Sequence, residues 1–222
     1  MQPIAYDIIG FDLDGTLVDT SEDIMAAVNH ALADIGRGPL DRATVEHLIG
    51  GGTVRMLTRA AQRGGSLDDV DIDALHERFR DYYKAHIAVH SHPYPGVAET
   101  LDALRDVGLT LGVATNKGEA MADRLLSAIG LRDRFACLIG GDTLAHGKPH
   151  PAMLEELTRR CGGGRTAYVG DSEYDVQAAR NAGVPVVVMS FGYANLPALD
   201  LGADAVLDRF DELPGRLARL GG

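Results

Sequence analysis

Five short apolar runs, rich in Val, Ile and Leu, recur along the chain, and each is followed by a polar turn and a helical pattern. They span residues 7–11, 109–114, 136–139, 166–169 and 185–189. The apolar residues are continuous within each run and do not alternate with polar ones, which is typical of strands buried on both faces of a parallel sheet. The pattern therefore predicts an α/β fold with a doubly wound parallel sheet.

The segment between the first two runs has a different pattern. It contains about 80 residues with helical periodicity and no strand pattern, far more than an ordinary crossover. Its two apolar stripes are Ile24, Val28, Ala31, Leu32 and Ile35, and Ile72, Leu75, Phe79 and Tyr82. Each stripe needs a partner, which favours a small bundle of helices. We expect an inserted all-helical domain at residues 17–93 and a core formed by residues 1–16 and 94–222.

Composition narrows the range of partners. The 222 residues carry a formal net charge of −11, and no cluster of Lys and Arg offers nucleic acid a basic stripe. No apolar run approaches the ~20 residues that span a bilayer, and the N-terminus lacks a signal-peptide pattern. The two cysteines, Cys137 and Cys161, are expected to be reduced thiols. We therefore expect a cytoplasmic protein that binds neither nucleic acid nor membrane.

Two carboxylates directly follow the first predicted strand. Asp12 and Asp14 lie where open α/β sheets bind ligands, and their mutual repulsion predicts a bound metal or a shared proton. An ordinary acidic turn would contain the same residue types.

Three further polar segments follow later strands. Thr115 and Asn116 offer a hydroxyl and backbone N–H groups, although Thr115 could equally cap a helix. Lys148 precedes Pro149, which is expected in the first turn of a helix; an anion beside this lysine is one interpretation, and a solvated surface lysine is the other. Asp171 follows the fourth run.

Asp175 lies four residues after Asp171, on the same side of the first turn of a helix. Both carboxylates could simply accept backbone N–H groups. Together with Asp12 and Asp14, however, Asp171 would supply the hard oxygen ligands that Mg²⁺ prefers. The sequence therefore predicts a metal site formed by Asp12, Asp14 and Asp171.

The four segments, in this order, resemble the four motifs of the haloacid dehalogenase-like superfamily, and the helical insertion resembles the cap domain of its small-cap subclass. Within the superfamily the chain is most similar to the bacterial phosphoglycolate phosphatases. That similarity lies in residues 17–20, 50–52, 55–57, 94–97 and 170–173. The resemblance implies a phosphatase that acts on a small phosphorylated metabolite, with phosphoglycolate as the expected substrate.

The resemblance also implies a role for each residue. Asp12 would be the nucleophile that forms an aspartyl phosphate, and Asp14 the general acid and then the base. The side chains of Asp12 and Asp171 and the main-chain oxygen of Asp14 would hold Mg²⁺. The phosphate oxygens would be bound by Thr115, Asn116 and Lys148, and Asp175 would orient the surrounding groups.

Some expectations are less specific. Arg55 is predicted to bind a substrate carboxylate, with a solvated helix face as the alternative. A monomer or a homodimer is expected. The competing functions are a sugar phosphomutase of the same superfamily and a signalling module that carries a phospho-aspartate.

Overall fold

The computed structural model describes residues 3–220. The strands are β1 (Ile8–Phe11), β2 (Val18–Asp19), β3 (His92–Pro93), β4 (Thr110–Ala114), β5 (Cys137–Ile139), β6 (Thr166–Gly170), β7 (Val186–Met189) and β8 (Ala205–Leu207). The α-helices are α1 (Ser21–Ala33), α2 (Arg42–Glu46), α3 (Thr53–Gln62), α4 (Ile72–Ala85), α5 (Val97–Asp106), α6 (Glu119–Ala128), α7 (Ala152–Arg160), α8 (Glu173–Ala182) and α9 (Leu213–Leu220). Within this described part of the chain, no helix has the length and apolarity needed to cross a membrane.

Six strands form one parallel sheet in the order β5-β4-β1-β6-β7-β8. The predicted parallel α/β core is confirmed, and its five predicted strands are present. The sequence pattern misses β8, because only three residues of this edge strand are paired and they do not form a long apolar run. The central strand β1 pairs with β4 and β6, so the segments after these three strands lie side by side.

Helices cover both faces of the sheet, which explains the continuous apolar runs. Ile9 and Phe11 of β1 pack into one buried cluster, together with residues of α5, α6 and α9. Ile8 points to the other face, where it packs with residues of α7 and α8, among them Leu157. Because successive side chains of a strand point to opposite faces, every position of β1 must be apolar or very small.

The long insertion folds into α1 to α4, which pack against one another. The expected apolar stripe on α1 is buried at Ile24 and Val28. The expected stripe on α4 is wrong at its last residue, Tyr82. Tyr83 is buried, whereas Tyr82 is half-buried and stacks on His30. Tyr82 and Tyr83 both suit helical spacing from Phe79, and only packing chooses between them. That residues 17–93 form a domain separate from the core stays a prediction.

A short antiparallel ribbon joins the insertion to the core. Val18 of β2 lies opposite Pro93 of β3, and Asp19 lies opposite His92. The expectation that the segment contains no strand is therefore wrong at its boundaries, because two residues on each side are too few to give a pattern. The two connections to the core consequently run side by side.

The predicted helix start at Pro149 is also wrong. Residues 148–151 lie outside the helix, and α7 begins at Ala152 after Pro151. Either proline suits the beginning of a helix, since proline needs no hydrogen-bond acceptor for a backbone N–H. Lys148 therefore lies in the loop between β5 and α7, and its side chain is buried.

The two cysteines are both free thiols, as expected. Cys137 is buried in β5 and Cys161 is half-buried at the end of α7. Their sulfur atoms lie 3.0 Å apart.

Candidate active site

The carboxyl ends of β1, β4 and β6 bring the predicted polar segments to one edge of the sheet. Asp12 extends the pairing of β1 by one residue, and its backbone N–H donates to the Val169 carbonyl at 2.9 Å. Thr115 follows β4 and Asp171 follows β6, and all three side chains belong to buried residues. The parallel topology therefore collects groups from distant parts of the chain.

Three buried carboxylates form the centre of this arrangement. Asp12, Asp171 and Asp175 each place one oxygen within 4.8 Å of the other two. Burial raises the pKa of Asp12 to about 6, with Asp175 adding to the increase and Lys148 opposing it. Burial, followed by repulsion from Asp175 and Asp12, raises the pKa of Asp171 well above its usual value. The cluster thus holds more negative charge than its buried surroundings favour.

Lys148 is the cation of the cluster. Its Nζ lies 2.8 Å from Oδ1 of Asp12 and 2.6 Å from Oδ1 of Asp175, and it donates to the Tyr168 hydroxyl at 3.0 Å. Burial alone would lower the pKa of Lys148, but the carboxylates of Asp12 and Asp175 raise it well above its usual value. One ammonium cannot balance three carboxylates, so the cluster can accept a further cation. The interpretation of Lys148 as a solvated surface lysine is wrong.

Asp175 and Asp171 are each held by several hydrogen bonds. Oδ2 of Asp175 accepts from the Ser172 hydroxyl at 2.6 Å and from the backbone N–H groups of Asp171 and Ser172. Oδ1 of Asp171 accepts from the Thr16 hydroxyl at 2.7 Å, and Oδ2 accepts from the Tyr193 backbone N–H at 2.7 Å. Asp175 therefore fixes the turn that carries Asp171.

Gly15 makes the tight turn after Asp14 possible. Its φ of +83° lies in the left-handed region, and a Cβ at this position would lie 2.5 Å from Oδ2 of Asp171. Both the backbone conformation and the space therefore require glycine. The turn of residues 12–16 is thus packed directly against Asp171.

The side chain of Asp14 is not part of the three-carboxylate cluster. Its Oδ1 accepts from the Thr20 hydroxyl at 2.8 Å, and Lys117 donates to both of its oxygens at 2.9 and 3.0 Å. Burial lowers the pKa of Lys117, but Asp14 and then Tyr83 raise it above the usual value. Lys117 is not among the residues predicted from the sequence, although its place directly after Thr115 and Asn116 is a usable signal.

Thr115 and Asn116 occupy the loop between β4 and α6. Thr115 is buried and its hydroxyl accepts from the Lys117 backbone N–H at 3.3 Å, whereas Gly118 precedes α6. The alternative that Thr115 caps this helix is wrong.

The Asn116 amide donates to the carbonyls of Gly50 and Lys148 and accepts from the Lys148 N–H at 2.8 Å. Asn116 therefore ties the insertion to the loop that carries Lys148.

Arg55 lies apart from these groups. It is exposed on α3, and its guanidinium lies 5.6 Å from the centre of the Tyr174 ring. Together with its neighbours His76 and Arg80, Arg55 lines a depression beside the site. The structure does not bring Arg55 together with Asp12.

A small cavity of about 60 Å³ lies between the sheet edge and the inserted helices. Its wall on the core side includes Asp12, Asp14, Thr115, Asn116, Lys117, Gly118 and Met121. The opposite wall is mostly apolar and includes Ile24, Ile49, Met56, Phe79 and Tyr83. A short molecule could therefore contact the Asp12 carboxylate while the helices exclude water from it.

Comparison with known proteins agrees with this architecture. The family model described as haloacid dehalogenase-like hydrolase matches residues 9–189. A phosphoglycolate phosphatase of Agrobacterium fabrum is 45% identical over 206 residues, which cover 91% of this chain and 88% of that protein. A phosphoglycolate phosphatase of Mesorhizobium japonicum is 41% identical and is matched over 95% of this chain and 94% of its own length.

Solved structures show the same fold. A crystal structure from Haemophilus somnus, described as that of a predicted phosphoglycolate phosphatase, superposes with a TM-score of 0.90 at 33% sequence identity. The match covers 95% of this chain and 97% of that one. The similarity therefore includes the sheet, the inserted helices and the loops that carry the site.

Proposed function

This chain belongs to the haloacid dehalogenase-like hydrolase family and is a phosphoric monoester hydrolase, and we propose that it hydrolyses phosphoglycolate to glycolate and inorganic phosphate. The observation that carries the proposal is the buried contact between Asp12 and Lys148 at the floor of a small cavity. A carboxylate beside a fixed cation suits attack on a dianionic phosphate.

Asp12 is the proposed nucleophile. One of its oxygens would attack phosphorus, the bond to the ester oxygen would break, and an aspartyl phosphate would form. The position of Asp12 supports this role, because the residue lines the cavity and Lys148 holds its carboxylate in place. Water would then attack the phosphorus of the aspartyl phosphate, releasing inorganic phosphate and regenerating the carboxylate.

Asp14 is the proposed proton donor and acceptor. It would give a proton to the leaving glycolate oxygen and take one from the attacking water, so the protons balance over a turnover. Asp14 lines the same cavity as Asp12, and Thr20 and Lys117 position its carboxylate. This position, on the cavity wall that Asp12 also lines, supports the role.

The site fits a divalent cation, and we propose Mg²⁺. The carboxylates of Asp12 and Asp171 and the main-chain oxygen of Asp14 would hold it. The support is the excess negative charge of three buried carboxylates against one ammonium. When bound, the ion would offset the repulsion between the nucleophile and the phosphate dianion.

The phosphate oxygens would be bound by Thr115, Asn116 and Lys148. Thr115 and Asn116 line the cavity, and Lys148 contacts the nucleophile directly. Fixed donors of this kind stabilise the charge on the equatorial oxygens as the phosphoryl group is transferred. Asp175 would hold Lys148 and the turn that carries Asp171 in position through the contacts described above.

The helices α1 to α4 would act as a cap domain, residues 17–93, on a core of residues 1–16 and 94–222. The side-by-side connections through β2 and β3 support a hinge at this place. Closure would exclude water from the aspartyl phosphate until it is needed. The role of Arg55 in binding a substrate carboxylate stays a prediction.

The decisive experiment measures phosphate release from a panel of phosphate compounds, with Mg²⁺ and with chelator. The panel contains phosphoglycolate, glucose 1-phosphate and pyrophosphate, and Asp12→Asn is the control variant. The proposal expects phosphoglycolate to give the highest kcat/KM and the activity to disappear with chelator. A sugar phosphomutase would instead require a sugar bisphosphate activator and release little phosphate. A signalling module would keep its phospho-aspartate for minutes without steady release.

A further inference from the structure

Lys117 contributes the cationic side chain of the cavity wall. Among the cavity-lining residues within positions 3–220, it is the one that carries a Lys or Arg charge. Its side chain is 7% exposed, and Tyr83 from the opposite wall lies against it, with Nζ 4.6 Å from the centre of the ring. The ammonium is therefore held at the boundary between the sheet edge and the inserted helices.

Tyr83 adds a second polar group at the same place. Its hydroxyl is buried beside the Lys117 ammonium and has no acceptor among the described residues, although the residue lines the cavity. Leaving a buried hydroxyl without an acceptor is unfavourable. An acceptor atom of a bound molecule would remove this cost.

The other cations near the site have no donor to spare or lie outside the cavity. Lys148 directs its three donors to Asp12, Asp175 and the Tyr168 hydroxyl. Arg55 lies over Tyr174 in the neighbouring depression and does not line the cavity. A negatively charged group that enters the mostly apolar outer part of the cavity needs a cation. Lys117 is placed to provide it.

We propose that Lys117 and Tyr83 bind the carboxylate of the substrate and so select a phosphate ester that carries one. The inference deepens the proposed function and rests on it. In phosphoglycolate a single methylene separates the ester oxygen from the carboxyl group. The residue that binds the carboxylate must therefore adjoin the residue that protonates the ester oxygen, and Lys117 adjoins Asp14. An ammonium has three donors, so Lys117 can contact Asp14 and the substrate together.

The test compares phosphoglycolate with its amide, in which a neutral group of the same shape replaces the carboxylate. The measured quantity is the ratio of kcat/KM for the two substrates, because any general damage to Asp14 cancels in it. Lys117→Met should lower this ratio roughly 30- to 1000-fold, as expected for loss of one partner of a desolvated charge pair. Tyr83→Phe should lower it about 10- to 100-fold, the effect of one hydrogen bond to a charged group.

Tyr83→Phe separates binding from folding, because it removes a hydroxyl that has no acceptor in the free protein. Its midpoint of urea unfolding should equal or exceed that of the wild type. Tyr82→Phe is the matched control, since Tyr82 is the neighbouring tyrosine and does not line the cavity. Lys117→Arg should restore part of the ratio that Lys117→Met loses.

The outcomes are distinguishable. A wild-type enzyme that does not prefer phosphoglycolate to its amide would refute the proposed substrate, and the inference with it. A clear wild-type preference that survives in both Lys117→Met and Tyr83→Phe would overturn the inference alone. A ratio that falls in Arg55→Met and not in Lys117→Met would place the carboxylate at Arg55 and would likewise overturn it.

Discussion

The backbone N–H of Tyr193 donates to Oδ2 of Asp171 at 2.7 Å, while the hydroxyl of Tyr193 donates to Oδ1 of Asp19 at 2.8 Å. The same hydroxyl accepts from the backbone N–H groups of Thr20 and Ser21. One residue thus joins the carboxylate cluster to the first connection between the core and the inserted helices. A change in that connection would reach Asp171 through a chain of direct contacts.

Tyr193→Phe tests this connection. The substitution keeps the backbone contact to Asp171 but removes the acceptor of the buried Thr20 N–H, and it leaves the Ser21 N–H with Asp19 alone. The free energy of unfolding should fall by about 1–3 kcal/mol, measured by urea denaturation. Tyr82→Phe, with a half-buried ring, should change it by less than about 0.5 kcal/mol. Equal stability of Tyr193→Phe and the wild type would show that these hydrogen bonds contribute nothing.

Substitution of Asp14 separates the two catalytic carboxylates. Asp14→Asn keeps the shape of the side chain but cannot exchange a proton, so kcat on phosphoglycolate should fall by ~10²- to 10⁴-fold. Asp12→Asn should abolish both turnover and the incorporation of labelled phosphate into the protein. Full activity of Asp14→Asn, or a labelled phosphoenzyme in Asp12→Asn, would contradict the assigned roles.

The residues of the candidate site that the sequence expects to meet are those that strand topology places. Asp12, Thr115 and Asp171 each follow a buried strand, and parallel pairing brings them together whatever the loops do. Lys148 lies in a loop, and the helix after this loop begins later than predicted. The Nζ of Lys148 nevertheless lies 2.8 Å from Oδ1 of Asp12.

The residues that the sequence does not reveal depend on packing between distant segments. Lys117 meets Asp14 across 103 positions of the chain, and Tyr193 meets Asp19 across 174. No local pattern encodes these pairings, although the place of Lys117 directly after Thr115 and Asn116 is a signal for the residue itself. The choice of Tyr83 over Tyr82 likewise depends on the exact rotation of α4 against α1, which helical spacing leaves open.

Gly15→Ala should disturb the site through Asp171. The new Cβ would lie 2.5 Å from Oδ2 of that carboxylate, in a backbone conformation that alanine rarely adopts. We expect weaker Mg²⁺ binding, so the Mg²⁺ concentration that gives half-maximal activity should rise, together with a loss of stability. Gly130→Ala is the matched control, because Gly130 has a similar positive φ and a methyl group added there would have no neighbour within 4 Å. If both variants need the same Mg²⁺ concentration, the contact with Asp171 has no functional effect.

Stabilisation by metal should depend on pH through Asp12. Burial raises the pKa of this carboxyl from 3.8 to about 6 in the metal-free protein, so its neutral form favours folding. That contribution is complete below the unfolded pKa and is lost as pH rises through about 6. A divalent cation binds the ionised form, so it should restore stability mainly above this pKa. The increase in Tm on adding Mg²⁺, relative to chelator, should be small at pH 5 and larger at pH 7.5. Asp12→Asn cannot ionise at this position, and its smaller increase should change less between the two pH values. An increase of equal size at both pH values in the wild type would refute the assignment of Asp12 as a metal ligand with a raised pKa.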